Sequence, residues 1–282
     1  MSILLSLQYL LPQHLLSRLL GKIARCQWVW LKNFIIKNYC RFYRIDLAEA
    51  QESDYRNYRN FDDFFTRALK PGARNLIAEP DVIIAPVDGT IYQIGKVLQG
   101  SIIHAKGRGF TLEQLLGSST EAALHEGGDF IVIYLAPSDY HRIHMPLAGK
   151  LCAMRYLPGK LFSVKPSIAE VIPDVFARNE RVVMNFSCSL GPMAMVLVGA
   201  MVVGSIATTW TGVVTPRIMR QATDWNYATE PREFSLGEEV GRFHLGSTVI
   251  LIFPQNSMCF SKHLIEHAKL KVGEPLGSFK SI

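Results

Sequence analysis

The stretch "GSTVILIFP", residues 246–254, decides the fold. Val249, Ile250, Leu251, Ile252 and Phe253 are β-branched or bulky apolar residues, and Pro254 ends the run, which predicts a buried strand. Just before it stand Gly246 and Ser247, with the His244 imidazole close by in "GRFHL" (241–245). A glycine and a serine at the mouth of such a strand are either a tight turn or a place where the chain does chemistry on itself.

The surroundings carry the same texture. From about residue 80, short apolar runs alternate with Gly/Pro turns: "VIIAPVDGTIYQIG" (82–95), "FIVIYLAP" (130–137), "RVVMNFSCSLGP" (181–192) and "MVLVGAMVVGSIATTW" (195–210). They predict a β-rich body. A short helix is expected at "TLEQLLG" (111–117), with Thr111 and Gln114 as a capping box and Gly117 as its stop. Residues 190–207 are nearly all apolar and read at first as a membrane span. Pro192, Gly199 and Gly204 interrupt them every few residues, so two buried strands joined at a glycine are expected instead.

The N-terminal region differs. Seven bases (Arg18, Lys22, Arg25, Lys32, Lys37, Arg41 and Arg44) precede the first acid, Asp46, and leave 23 of the 30 bases against all 24 acids in the remainder. The net charge of +6 therefore belongs to this segment. The body has no basic stripe to match it, which argues against nucleic acid. In residues 13–44, Leu15, Leu16, Leu19, Leu20 and Ile23 share one helical face, while Arg18, Lys22, Arg25 and Lys32 fall on another. Trp28 and Trp30 add amphipathic rings. Such helices suit an anionic membrane surface, or else pack on their own domain or on a dimer mate. No run is long and clean enough to span a bilayer. The first base comes only after the apolar stretch, which fits a signal peptide poorly. Phe61, Phe64, Phe65 and Leu69 recur at helical spacing until Pro71-Gly72 stops them. The expected organisation is a helical, membrane-associating segment over residues 1–75 and a β-rich catalytic domain over 76–282. The fold class is α+β: N-terminal amphipathic helices, then a barrel- or sandwich-like body.

Five dispersed cysteines without a CxxC argue against a disulfide framework or a structural zinc. Reactive side chains concentrate in three places: Asp88 in "APVDGTI" (85–91), His141 and His144 in "YLAPSDYHRIHMP" (134–146), and Ser247 in "HLGST" (244–248). Asp88-Gly89 also reads as a plain hairpin turn. The two histidines could bind a metal, but no further Cys/His cluster completes a ligand set, so proton transfer is their better use and no metal is expected. Asp, His and Ser can form a relay in which the carboxylate orients the imidazole and the imidazole takes the serine proton. The G-x-S-x-G elbow of serine hydrolases is absent. A lipid hydrolase using these three residues and a non-catalytic, membrane-tethered β-domain both remain open at this point.

An ordered set of motifs resembles the phosphatidylserine decarboxylases: "FFTRALKPGAR" (64–74), "PVDG" (86–89), "KGRGFTLEQLLG" (106–117), "YHRIHMP" (140–146), "GKLFSV" (159–164), "FARNERV" (176–182), "VGAMVVGSI" (198–206) and "EEVGRFHLGSTVI" (238–250). Lys165 departs from the asparagine expected after "LFSV" and bears on local substrate contacts. The resemblance implies a lyase made as a zymogen that cuts itself at Gly246-Ser247. His144, backed by Asp88, would deprotonate Ser247, whose hydroxyl attacks the Gly246 carbonyl. Elimination would then leave a large chain (1–246) and a small chain (247–282) opening with a pyruvoyl group made from Ser247. That group would be the cofactor, forming a Schiff base with phosphatidylserine. A proton must return after CO2 leaves, and His141, three residues from His144, is the candidate donor by its position and chemistry rather than by a family rule. Gly246 suits the attack because it has no side chain to obstruct it. The resemblance further implies phosphatidylethanolamine as product, association of the two chains, a homodimer of processed units, and peripheral attachment to the cytoplasmic side of a bacterial cell membrane.

Overall fold

The computed structural model describes residues 8–9, 11–77, 79, 81–103, 109–201, 205–216, 221–244 and 247–279. Helices occupy the N-terminal part and strands dominate from residue 82 onward, so the architecture is α+β.

The body is organised around an antiparallel nine-stranded sheet. Its path runs Thr223–Asn226, Gly149–Leu157, Arg181–Cys188, Gly191–Gly199, Ser247–Ile252, Asp129–Leu135, Gly89–Lys96 and Lys269–Leu270, and Arg232–Phe234 also pairs with Gly149–Leu157. The sheet does not close into a barrel among the described residues. The apolar run of the sequence is thus a central strand, with Gly191–Gly199 on one side and Asp129–Leu135 on the other. It is buried on both faces. Val249 and Leu251 belong to one core cluster, Ile250 and Ile252 to a second, as the period of two requires. Unbroken apolarity is what a doubly covered strand needs.

Beside the first cluster lies a four-stranded sheet ordered Gly212–Val213, Ile206–Thr208, Glu239–Phe243, Arg142–His144. Its Ile143, Ile206, Val240 and Phe243 join that cluster. Residues 190–207 therefore form strands in two sheets and no helix; residues 202–204 lie outside the described residues. A three-stranded sheet, Val82–Ile84, Pro275–Phe279 and Met258–Phe260, completes the C-terminal part.

Two expected local features hold. Leu112–Leu116 is a helix with a complete Thr111/Gln114 capping box, and Gly117 ends it in the left-handed region at φ 69°. Asp88-Gly89 is not a glycine turn. Gly89 opens a strand, and a Cβ there would meet the Tyr134 carbonyl oxygen at 2.6 Å. The glycine serves close backbone approach.

Helices Gln13–Ala24 and Val29–Tyr43 pack on the short helix Phe61–Phe65, through Ala24, Ile36, Phe61, Phe64 and Phe65. Asn60 caps the short helix by accepting from Asp63 N–H. Lys32 departs from the basic face read in the sequence. It is buried, and its ammonium donates to the Arg56 carbonyl at 2.7 Å and to Asn33 Oδ1 at 2.8 Å. Lys32 starts within a second helix, whose rotation is set by Ile36 going inward rather than by the phase of the first. Gln8 and Gln13 fasten the N-terminus to the loop after Leu157, accepting from Ser163 and Leu161 N–H.

Candidate active site

Ser247 opens the central strand opposite Leu135 and Gly199. Its register gives it the parity of Val249 and Leu251, and its cross-strand partner Leu135 lies in the same cluster. The side chain thus faces the cluster to which the four-stranded sheet contributes Ile143, Ile206, Val240 and Phe243. Ser247 is completely buried, and its hydroxyl has no hydrogen-bond partner, as is also true of Thr248. A buried polar group without a partner costs about 1–3 kcal/mol, so a hydroxyl left in this state indicates a functional rather than a stabilising role. Leu245 and Gly246 lie outside the described residues. The chain leading to them is held by two bonds, Phe243 N–H to the His141 carbonyl at 3.0 Å and His244 N–H to the Ser205 carbonyl at 3.0 Å.

The loop 136–140 presents His141. Asp139 accepts from Ala136 N–H with its side chain at 2.7 Å, and its carbonyl lies 2.8 Å from His141 Nδ1. A carbonyl only accepts, so Nδ1 carries the proton and Nε2 the lone pair. His141 is fully buried against Phe65, with ring centroids 4.1 Å apart, and its Nε2 has no partner. Burial pushes its pKa down to about 3, so it stands neutral at ordinary pH. The nearby Arg67 cation acts in the same direction.

His144 ends the adjacent strand. Its Nδ1 donates to the Gly237 carbonyl at 2.8 Å, which leaves Nε2 to accept from Tyr140 O–H at 3.1 Å. Burial lowers its pKa, against the Gly237 bond and the Glu239 charge, which raise it. Asp88 also acts on His144, as a weaker charge. Asp88 makes no bond to the imidazole: its carboxylate receives Arg74 Nε at 3.0 Å and Nη2, and Val272 N–H at 2.9 Å. A cavity of about 230 Å3, lined by Arg74, Tyr140, Arg142 and His144 among others, opens on this side.

The structure sets His141 and His144 at the two ends of strand Arg142–His144 and puts Asp88 within charge range of His144. It does not join Asp88, His144 and Ser247 in a hydrogen-bonded chain. Sequence reasoning missed Tyr140, Gly237, Glu239, Arg74 and Arg67. All but Gly237 stood inside quoted motifs, yet in segments that only the fold brings close to the histidines.

A buried serine at a strand mouth and two buried imidazoles with defined tautomers are groups suited to proton transfer. Comparison with known proteins gives the chain a place. A family model described as phosphatidylserine decarboxylase matches residues 61–278, and a second, described as PSD, matches residues 3–44. A Shewanella baltica protein named phosphatidylserine decarboxylase proenzyme is 47% identical over 99% of this chain and 97% of its own length. Proteins of that name from Pseudomonas aeruginosa (49%, covering 95% of this chain and 94% of the relative) and Shewanella pealeana (50%, covering 90% of each) are similar too. The chain belongs to the phosphatidylserine decarboxylase family, and it is a decarboxylase.

Proposed function

We propose that this chain is a self-cleaving precursor that converts phosphatidylserine to phosphatidylethanolamine and CO2. The carrying observation is the buried Ser247 hydroxyl, which has no hydrogen-bond partner among the described residues. In this reading Ser247 Oγ loses its proton to His144 Nε2, which holds a lone pair because the Gly237 carbonyl takes the Nδ1 proton. The Tyr140 hydroxyl leaves Nε2 as this happens. Oγ then attacks the Gly246 carbonyl carbon, an ester replaces the amide, and elimination parts the chain between 246 and 247. Asp88 stabilises the imidazolium through space.

An N-terminal residue derived from Ser247 fits the pyruvoyl group that the relatives' proenzyme names imply. The serine is walled from water, and nothing in the described structure occupies its hydroxyl. When formed, that group supplies a carbonyl for the head-group amine and a sink for the electrons released with CO2. His141 suits proton shuttling. Its Nε2 accepts a proton from the substrate ammonium and returns it to the α carbon afterwards, so the proton balance closes on one atom. Burial keeps it neutral at rest and makes the proton it takes up easy to give back.

The small chain remains bound after cleavage. It supplies strands Ser247–Ile252, Met258–Phe260, Lys269–Leu270 and Pro275–Phe279, distributed over two sheets and paired to the large chain in both. Residues 1–75 serve as the membrane-associating segment. Leu15, Leu19, Ile23, Trp28, Val29, Trp30 and Phe34 are all exposed on the two N-terminal helices, and no described helix is long and apolar enough to cross a membrane. Apolar burial joined to the basic side chains suits peripheral attachment to anionic lipid, on the cytoplasmic side. The processed units pair as homodimers.

Intact-protein mass spectrometry of the wild type beside Ser247→Ala tests this reading. The expected result is two wild-type chains parting at 246/247, the second lighter by one ammonia than simple hydrolysis leaves it, and one unbroken Ser247→Ala chain. A wild type that stays whole with an intact serine in the presence of anionic vesicles overturns it.

A further inference from the structure

A second cavity lies between helix Gln13–Ala24 and the strand that leads to the scissile bond. It holds about 160 Å3. Arg18, Lys22 and Arg25 line it from the helix, and His244 lines it from the body. The acid beside them, Asp62, is turned to His244: both its carboxylate oxygens lie within 3.0 Å of His244 Nδ1. With Nδ1 so engaged, His244 Nε2 is left for another partner, yet it is buried and has none. Ser17 repeats the pattern. Its hydroxyl lines the same cavity, is buried, and bonds to nothing, not even the carbonyl one turn back. Two independent polar atoms are thus desolvated without compensation in one small, cationic cavity.

We propose that this cavity seats the phosphodiester of the phospholipid head group, with two hydrogen-bond donors, Ser17 Oγ and the imidazolium form of His244, whose Nδ1–H stays on Asp62 while its Nε2–H turns to the phosphate, and with Arg18, Lys22 and Arg25 supplying the charge. The inference rests on the decarboxylase reading above and deepens it. Three features fit. A phosphodiester offers acceptor oxygens and a negative charge and no donors, which matches two donors and three cations. The cavity has the right reach: His244 is three residues from Ser247, at most about 10 Å of extended chain, and in a phosphoserine head group only two heavy atoms, the ester oxygen and the β carbon, separate the phosphorus from the α carbon. The same helix also carries Leu15, Leu19 and Ile23, which are exposed. A lipid held by its phosphate in the cavity can run its acyl chains along that apolar face into the bilayer.

Two measurements test the seat separately from turnover. In mixed micelles with phosphatidylserine sparse in uncharged detergent, where attachment through charge is weakened, Ser17→Ala and Lys22→Gln are each expected to raise KM for phosphatidylserine by about five- to tenfold, with kcat within twofold, self-cleavage complete and micelle binding unchanged in Ser17→Ala. Water-soluble glycerophosphoserine is expected to inhibit the wild type competitively, with its inhibition constant weakened in the variants by the same factor. In the Ser247→Ala precursor, which cannot turn over, 31P NMR titration with glycerophosphoserine is expected to show saturable binding that Ser17→Ala weakens. Unchanged KM in both variants, or a loss that falls on kcat or self-cleavage alone, overturns the seat while leaving the decarboxylase intact. Intact binding without any turnover in the wild type overturns the decarboxylase reading instead. If inorganic phosphate binds but glycerophosphoserine neither binds nor competes, the cavity takes free phosphate and the head-group assignment falls.

Discussion

Asn179 allows the sharpest test of how the body holds its reactive serine. The side chain is fully buried. Its Oδ1 accepts from Phe162 N–H at 3.0 Å, and its Nδ2 donates to the Phe162 carbonyl at 2.8 Å and to the Gly199 carbonyl at 2.9 Å. One amide thus satisfies three backbone groups and ties the "GKLFSV" loop to the strand end that faces Ser247, since Gly199 is the cross-strand partner of Ser247. Asn179→Ala strands all three in a space closed to water. At about 1–3 kcal/mol for each unsatisfied buried group, with partial relaxation, the loss should be about 3–5 kcal/mol. That is a large share of the roughly 5–15 kcal/mol that holds a typical protein folded. Asn179→Asp should cost at least as much, because it keeps one acceptor but replaces the donor by a second acceptor that faces two carbonyl oxygens. The assay is urea unfolding followed by tryptophan fluorescence in the uncleaved Ser247→Ala background, where a single chain unfolds. Self-cleavage of Asn179→Ala in the otherwise wild-type chain should also slow. A loss below about 1 kcal/mol, or Asn179→Asp milder than alanine, would refute the hydrogen-bond accounting. Cleavage at the full rate would refute the link to Ser247.

Other outcomes follow from the same geometry. His141 and His125 have pKa values pushed down by burial to about 3 and about 4, so the unfolded chain binds their protons first. Stability should be full above pH 6.5 and fall as pH drops toward 4, by up to about 1.4 kcal/mol per pH unit for each histidine; His141→Gln should remove one proton's worth of that slope in urea midpoints measured from pH 7 to 4. Tyr140→Phe frees the His144 Nε2 lone pair from its only donor, so self-cleavage followed by gel should proceed at least as fast as in the wild type; a tenfold slowing would make the hydroxyl part of the proton path. Replacing both Trp28 and Trp30, exposed at 66% and 69%, by serine should weaken binding to anionic vesicles by more than about tenfold in a sedimentation assay, and undiminished binding would remove these rings from the membrane contact. Thr111→Ala breaks the capping box and should lower stability by about 1 kcal/mol in the same urea assay.

The sequence by itself determined the elements whose signals are local. The strand Ser247–Ile252 was legible because a strand covered on both faces needs the apolar run that begins at Val249, and the Leu112–Leu116 helix because its cap and stop are written in three residues, Thr111, Gln114 and Gly117. The motif order identified the family, and Ser247, His141 and His144 were legible as residues with chemistry. Tertiary structure decided what local signals cannot carry. Lys32 turned inward because packing of Ile36, not the run of basic residues, sets the second helix's rotation. Asp88 went to Arg74 and Val272 rather than to an imidazole, because segments 14 and 184 residues away pair beside it. His144 received its tautomer from Gly237, 93 residues distant, and His244 its partner from Asp62, 182 residues distant. Hydrogen bonds and charges act over a few ångströms of space regardless of chain separation. A one-dimensional pattern can therefore name the reactive groups, while the protonation and hydrogen bonding that make them reactive are set by neighbours only the fold supplies.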